Sequence, residues 1–152
     1  MEKLGEEKAA MEELFDTEVK VYERLEPLQG VVVPRCYGRI RYNGSRALIL
    51  ERLGGVSLAS PEAATLRLDE LADLLLPCYQ ALHAFGVHYD DPQLANFQLV
   101  DAKVMVLDFE QVMLDRSADD NAFFTMTGIR HLAQLYREMQ VWYRHEGLLE
   151  AA

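Results

Sequence analysis

The sequence predicts an α+β fold. Three long stretches repeat apolar residues at helical spacing. The short apolar runs between them are bounded by tight-turn residues and read as antiparallel strands. The order helix–strands–helix–strands–helix separates the two kinds of element. With 152 residues, 50% of them hydrophobic and 26% charged, the chain is most simply one domain with a real core.

Residues 2–26 read as one helix, acidic on its outer face and apolar at Met11, Leu14, Phe15, Val19, Tyr22 and Leu25. Pro27 and Gly30 end it. "VVV" (31–33) is strand-like, and Pro34 and Gly38 mark the next turn. "RIRY" and "ALILE" flank Asn43-Gly44, a strong hairpin dipeptide. After Gly54-Gly55 and a polar connector through Pro61, residues 69–85 form a second helix. Asp69 starts it, Gly86 follows its end, and Pro77 kinks it or marks a boundary. A loop from Val87 to Ala95 leads to strands near Phe97–Val100 and Val104–Leu107, joined by a turn at Asp101-Ala102. An irregular, solvated segment, "DRSADDN", precedes a last helix around 126–145, which Asp119 or Asp120 would cap. Tyr136, Met139, Trp142 and Tyr143 recur on that helix at core spacing, or at that of an interface.

A formal charge of −10 repels phosphate backbones and anionic bilayers, so neither nucleic acid nor membrane is an expected partner. "MEKLGEEKAAMEEL" lacks the basic and apolar regions of a secretory signal, and no apolar run approaches the roughly 20 residues of a membrane span. Cys36 and Cys78, without metal-like spacing, fit buried thiols in a reducing compartment, and a cytoplasmic location is expected.

Two sets of polar residues stand out. On a wheel centred on Met11, Glu18 falls at about −20°, inside the apolar arc of the first helix. A carboxylate there either sits wet at the mouth of a groove or holds a cation in a site. Then "HYDDPQLANFQLVDAKVMVLDFEQ" (88–111) brings Asp90, Asp91, Asn96 and Asp108 around an apolar hairpin. Taken alone, Asp90 and Asp91 stabilise a turn through local backbone N–H groups. His83 and His88 invite a metal reading, but at i, i+5 they are poorly placed for one helix face, and His83 is better explained as helix packing.

The five-residue step from Asp91 to Asn96 matches the kinase catalytic-loop pattern H-R-D-L-x-x-x-N. "LDFE" matches D-F-G in its first two positions, one hairpin later. "ALILERLGG" looks like the strand and hinge between two lobes, and "FDTEVKVYERLEPLQGVVVPRCYG" like the αC helix and the strand after it. From about Glu13 to Val112 the chain therefore resembles the protein-kinase-like superfamily, especially its divergent, aminoglycoside-phosphotransferase-like branch, abbreviated at both ends.

The resemblance implies an abbreviated kinase-like fold. Residues 1–53 would be a partial N-lobe with an αC-like helix and hinge, and 54–152 a reduced helical C-lobe with a catalytic-loop hairpin. It also implies ATP and Mg²⁺ as ligands, and phosphoryl transfer to a hydroxyl of unknown identity. Asp91 would accept the hydroxyl proton, Asn96 and Asp108 would hold Mg²⁺, and Glu18 would be the αC glutamate. Leu50, Glu51 and Leu53 would border the adenine at the hinge. Several features depart from the pattern. The Gly-rich loop and lysine strand have no counterpart ahead of the first helix, although Arg41 or Arg46 is placed to approach Glu18. Tyr89-Asp90 replaces His-Arg, Gln93 stands where many protein kinases have lysine, Glu110 replaces the D-F-G glycine, and no A-P-E follows. These departures support an alternative, a pseudokinase or kinase-derived module that binds nucleotide or protein without catalysis. A metal-dependent hydrolase using the same carboxylates is a third reading.

Overall fold

The computed structural model describes residues 2–109, 111–114 and 116–150. Glu110, and Asp115 at the head of "DRSADDN", lie outside the described residues.

Helix α1 (Glu2–Arg24) leads into a short 3-10 turn, Glu26–Leu28, with Pro27 at its start. The valine run after it is not a strand. The N–H groups of Val31 and Val32 both turn back to the Leu28 carbonyl at 3.0 Å, and Val33 makes only an isolated bridge to Gln29. Val33 is nevertheless wholly buried, so the apolar run reports core and not strand. Strands β1 (Cys36–Tyr42) and β2 (Ser45–Leu50) form the expected hairpin, with Tyr42 opposite Ser45. Asn43 (φ 50°) and Gly44 (φ 79°) both adopt the left-handed backbone that a two-residue loop of this twist requires.

Strand β3 (Val56–Ser57) is followed by helix α2 (Leu68–Ala84) and strand β4 (His88–Tyr89). Helix α2 is continuous through an exposed Pro77. Arg67 occupies its N-cap; Asp69 lies within the first turn and bonds the Arg67 guanidinium. At the other end Gly86 donates to the His83 carbonyl and Val87 to that of Leu82, which satisfies the last carbonyls in the manner of a Schellman motif.

Strands β5 (Phe97–Val100) and β6 (Lys103–Val106) pair antiparallel, and β3 adds to β5. Strand β7 (Val112–Met113) pairs with β4. Helix α3 (Asn121–His145) starts five residues before the expected position. Asp120 is its N-cap residue, without a side-chain cap bond.

The core lies between α2, α3 and the β5–β6 hairpin, with Leu71, Leu75, Leu82, Phe97, Val106 and Leu132 at its centre. Helix α3 also fixes the segment between β3 and α2. Tyr136 Oη accepts from Leu66 N–H and donates to the Ala63 carbonyl, and Gln140 donates to the carbonyls of Ala64 and Leu66. Tyr143 Oη donates to the Ala59 carbonyl, whereas Trp142, expected in the core or at an interface, is 59% exposed and not in the core. Cys78 is buried, its thiol donates to the Val104 carbonyl, and burial pushes it up to about 12; Cys36 is half-buried.

The first half of α1 departs from the wheel. Met11 is 69% exposed and residues 3–13 are exposed throughout; the β1–β2 hairpin reaches this half of the helix through Arg46, which donates to the Glu12 carbonyl at 3.4 Å, without covering it. Tyr22 and Leu25 reach the core as expected. Among the described residues no helix is long and apolar enough to cross a membrane.

Candidate functional site

The loop between β4 and β5 is shaped by its own side chains. Asn96 Oδ1 accepts from Gln93 N–H at 2.7 Å while the Asn96 N–H returns to the Gln93 carbonyl, closing one 3-10 turn at Leu94–Asn96. The Asn96 carbonyl then accepts from Leu107 N–H at 2.8 Å, extending the β5–β6 pairing by one step. This register sets Asn96 beside the start of the Leu107-Asp108-Phe109 segment. As a result Asp91, Asn96 and Asp108, with Tyr89, Gln93 and Gln111, line a single cavity of about 200 Å³.

Asp108 has φ 66°. The other described non-glycine residues with positive φ, Asn43 and Asp101, sit in the two hairpin loops. Asp108 sits in neither, so the surrounding contacts must hold it in a backbone region that L-residues avoid. Two contacts do so. The Tyr89 hydroxyl shares its proton between the carbonyls of Leu107 (2.9 Å) and Asp108 (3.0 Å). Phe109 is fully buried, with its ring 5.4 Å from Tyr22 of α1 and 6.0 Å from Tyr89.

These aromatic groups also report on Glu18. Tyr89 is held far above the ordinary phenol range by burial first, then by the Asp108 carboxylate, with Glu18 a smaller contributor. Tyr22 is raised likewise by burial, then by Glu18, Cys36 and Asp108. The half-buried Glu18 and the exposed Asp108 thus act on the same two tyrosines from opposite parts of the chain. Arg46, expected near Glu18, pairs with Asp16 Oδ1 at 2.9 Å and lies 4.5 Å over the Phe15 ring.

Asp91 is exposed and faces His131 of α3, with Nε2 to Oδ1 at 3.5 Å. Nothing in the sequence pattern marked His131, which stands forty residues from Asp91 and reaches it only through the α2–α3 packing. Asp90, the neighbouring aspartate, borders a different cavity on the α3 side. The hinge residues Leu50, Glu51 and Leu53 are half-buried and do not line the 200 Å³ cavity. Glu51 N–H is committed to the Arg35 carbonyl at 2.8 Å, so its backbone offers a ligand the carbonyl and not the amide.

The donor set fits a hard cation only in part. Asn96 Oδ1 keeps one lone pair beyond its bond to Gln93, and the Asp108 carboxylate supplies charge. Among the described residues no group of three His, Cys, Asp or Glu side chains could hold a metal by itself. Two protein oxygens suit Mg²⁺ arriving with phosphate oxygens and water, which is its usual mode, better than a metal caged by protein alone.

No family model and no curated protein matches this sequence. Solved structures match it by fold. One is the medium-resolution structure of the bifunctional kinase-methyltransferase WbdD, with a TM-score of 0.59 and 21% identity over 81% of this chain and 29% of that one. A second, at 2.2 Å, is also of WbdD, with a TM-score of 0.59 and 22% identity over 80% of this chain and 29% of that one. The chain spans less than a third of WbdD's length, and the likeness is one of fold. The mixed helical and antiparallel architecture is a distant structural relative of a kinase-containing protein and is compatible with a kinase-like fold.

Proposed function

We propose that this is a kinase-like protein of the divergent, aminoglycoside-phosphotransferase-like kind, which binds ATP with Mg²⁺ and transfers the terminal phosphoryl group to a hydroxyl. The observation that carries this reading is the convergence of Asp91, Asn96 and Asp108 on one small cavity. In it, residues 1–53 serve as the N-lobe part and 54–152 as the C-lobe part, in the cytoplasm.

Asn96 and Asp108 are the residues to hold the cation. Mg²⁺ there supplies neutralisation of the charge that develops on the transferring phosphoryl oxygens. Asp91 takes the proton of the acceptor hydroxyl, and the imidazole of His131 orients the Asp91 carboxylate. Tyr89 and Phe109 fix Asp108, and Glu18 contributes to positioning from α1. The backbone at Glu51 and Leu53, with Leu50 behind it, receives the adenine. The test is ADP formation from ATP·Mg²⁺ by the native chain and by Asp91→Ala. Loss of a positioned base lowers the rate by about 10²-fold or more. Equal rates in the two proteins remove the claim.

One observation favours a second reading, a nucleotide- or protein-binding module without catalysis. Ile40, Tyr42 and Ile49 stand exposed on the face of the β1–β2 hairpin that does not carry Arg41 and Arg46, an apolar surface suited to a partner. Nucleotide binding without any ADP formation selects that reading.

A further inference from the structure

A second cavity, of about 320 Å³, lies between α2, β4 and the first turns of α3. It shares Tyr89 and Asp91 with the 200 Å³ cavity, so Asp91 belongs to both. Its lining includes Tyr79 and His88, whose Oη and Nδ1 are buried without a hydrogen-bond partner among the described residues, and His131, whose Nε2 faces Asp91 Oδ1 at 3.5 Å. Tyr79 and His88 are each only 2% exposed. Orphaned buried polar atoms are rare and costly in native proteins. Here two come from different elements, α2 and β4, and both residues line one space beside the Asp91–His131 pair.

We propose that this cavity is the acceptor pocket and that its ligand is a small, uncharged molecule bearing several hydroxyl groups; this rests on the kinase-like reading of Asp91. A hydroxyl both donates and accepts, so it satisfies an imidazole nitrogen in either tautomer and a phenol in either role. The charged groups at the cavity argue against an ionic ligand. Asp90 and Asp91 repel anions, and Arg116, held 4.5 Å over Phe124, offsets part of their pull on cations. The Phe124 ring and Met113 give an apolar wall for the carbon face of such a molecule. Gly128 has a defined part: a Cβ there would stand 2.6 Å from the Tyr79 ring and 2.8 Å from its hydroxyl. The volume is at the small end of ligand pockets, which favours a small molecule over a polypeptide loop.

In the transfer step the acceptor O–H bond breaks and its proton passes to Asp91. The acceptor oxygen forms a bond to the terminal phosphorus of ATP. The bond from that phosphorus to the bridging oxygen breaks, its electron pair leaving with ADP.

The experiment is ligand-observed saturation-transfer NMR on the full chain with methyl glucoside and myo-inositol, alongside a thermal-shift titration with ATP·Mg²⁺. At least one polyol is expected to receive saturation from the native protein. Tyr79→Phe, which removes one hydrogen bond, weakens the binding about five- to tenfold. Thr127→Trp, which fills the cavity from α3, abolishes it, with folding of each variant verified by its melting curve. No saturation of either polyol, or unchanged binding in both folded variants, overturns the proposal. Polyol binding without ATP·Mg²⁺ binding sinks the transferase reading and the acceptor role while upholding the site. ATP·Mg²⁺ binding without polyol binding sinks the pocket alone.

Discussion

Asp108 and Tyr89 form the unit on which the site depends. A left-handed aspartate outside a hairpin loop persists only if something holds it, and the Tyr89 hydroxyl bridging two successive carbonyls does so. Tyr89→Phe keeps the ring packing and removes both bonds, so it is expected to cost about 1–2 kcal/mol in urea unfolding and to weaken ATP·Mg²⁺ binding. Unchanged stability and binding would separate Tyr89 from Asp108. His83 gives a second prediction at this scale. It is 4% exposed, and burial first, then the charge of the stacked His88, lowers its pKa from 6.5 to about 4; Tyr79 and Thr125 also pack against it. The unfolded chain therefore binds a proton that the folded chain refuses. The stability from neutral His83 is complete above pH 6.5 and is lost as pH falls toward 4, by roughly 2–3 kcal/mol in all. Urea midpoints at pH 7 and pH 4.5 should fall further for the native chain than for His83→Gln, and equal falls would refute the assignment. That Asp91, Asn96 and Asp108 meet at one cavity was legible from spacing, because the constraint on them is local; Glu18, expected to face it, is not among its lining residues. The φ of Asp108, the approach of His131 and the orphaned Tyr79 hydroxyl were not legible, because each depends on packing between distant segments.

Among the elements, the link from α1 to the site runs through Phe109. Its buried ring stands between Tyr22 and Tyr89, in a chain of ring contacts that continues through Phe97 to Tyr79. Phe109→Ala should cost about 3–5 kcal/mol. It should also raise amide exchange in residues 18–25 of α1 more than in α3. Uniform destabilisation, with α1 and α3 exchanging alike, would show that Phe109 does not couple α1 to the site. Gly55 makes a simpler case. With φ 66° and a substituted Cβ only 2.1 Å from the Leu99 carbonyl oxygen, it lets β3 lie against β5. Gly55→Ala should lower the melting temperature, and an unchanged value would contradict that close approach. Elements with strong local signals were readable: the Asn43-Gly44 hairpin, the β5–β6 hairpin and the Gly86 helix end. The two-residue strands β3, β4 and β7 carry no periodicity and were invisible. "VVV" misled because a buried turn needs apolar residues as much as a strand does. The early start of α3 was hidden because Asn121, which bonds the His83 carbonyl and the His88 ring, read as loop.

For the molecule as a whole, the fold is distantly like that of WbdD, and the loop before β5 and the segment after β6 face one cavity. The order of motifs conveyed that much, since it fixes which strand ends lie together. The 320 Å³ cavity was not legible, because its walls come from α2, β4 and α3 and no motif spans them. The most direct measurement is a thermal-shift titration with ATP·Mg²⁺ on the native chain and on Asp108→Ala. A nucleotide at 100 times its Kd adds about 2.7 kcal/mol, which for a chain of this size raises Tm by roughly 5–10 °C. The account predicts that rise in the native protein and its loss in Asp108→Ala. No rise at millimolar ATP·Mg²⁺, or an equal rise in both proteins, would contradict it.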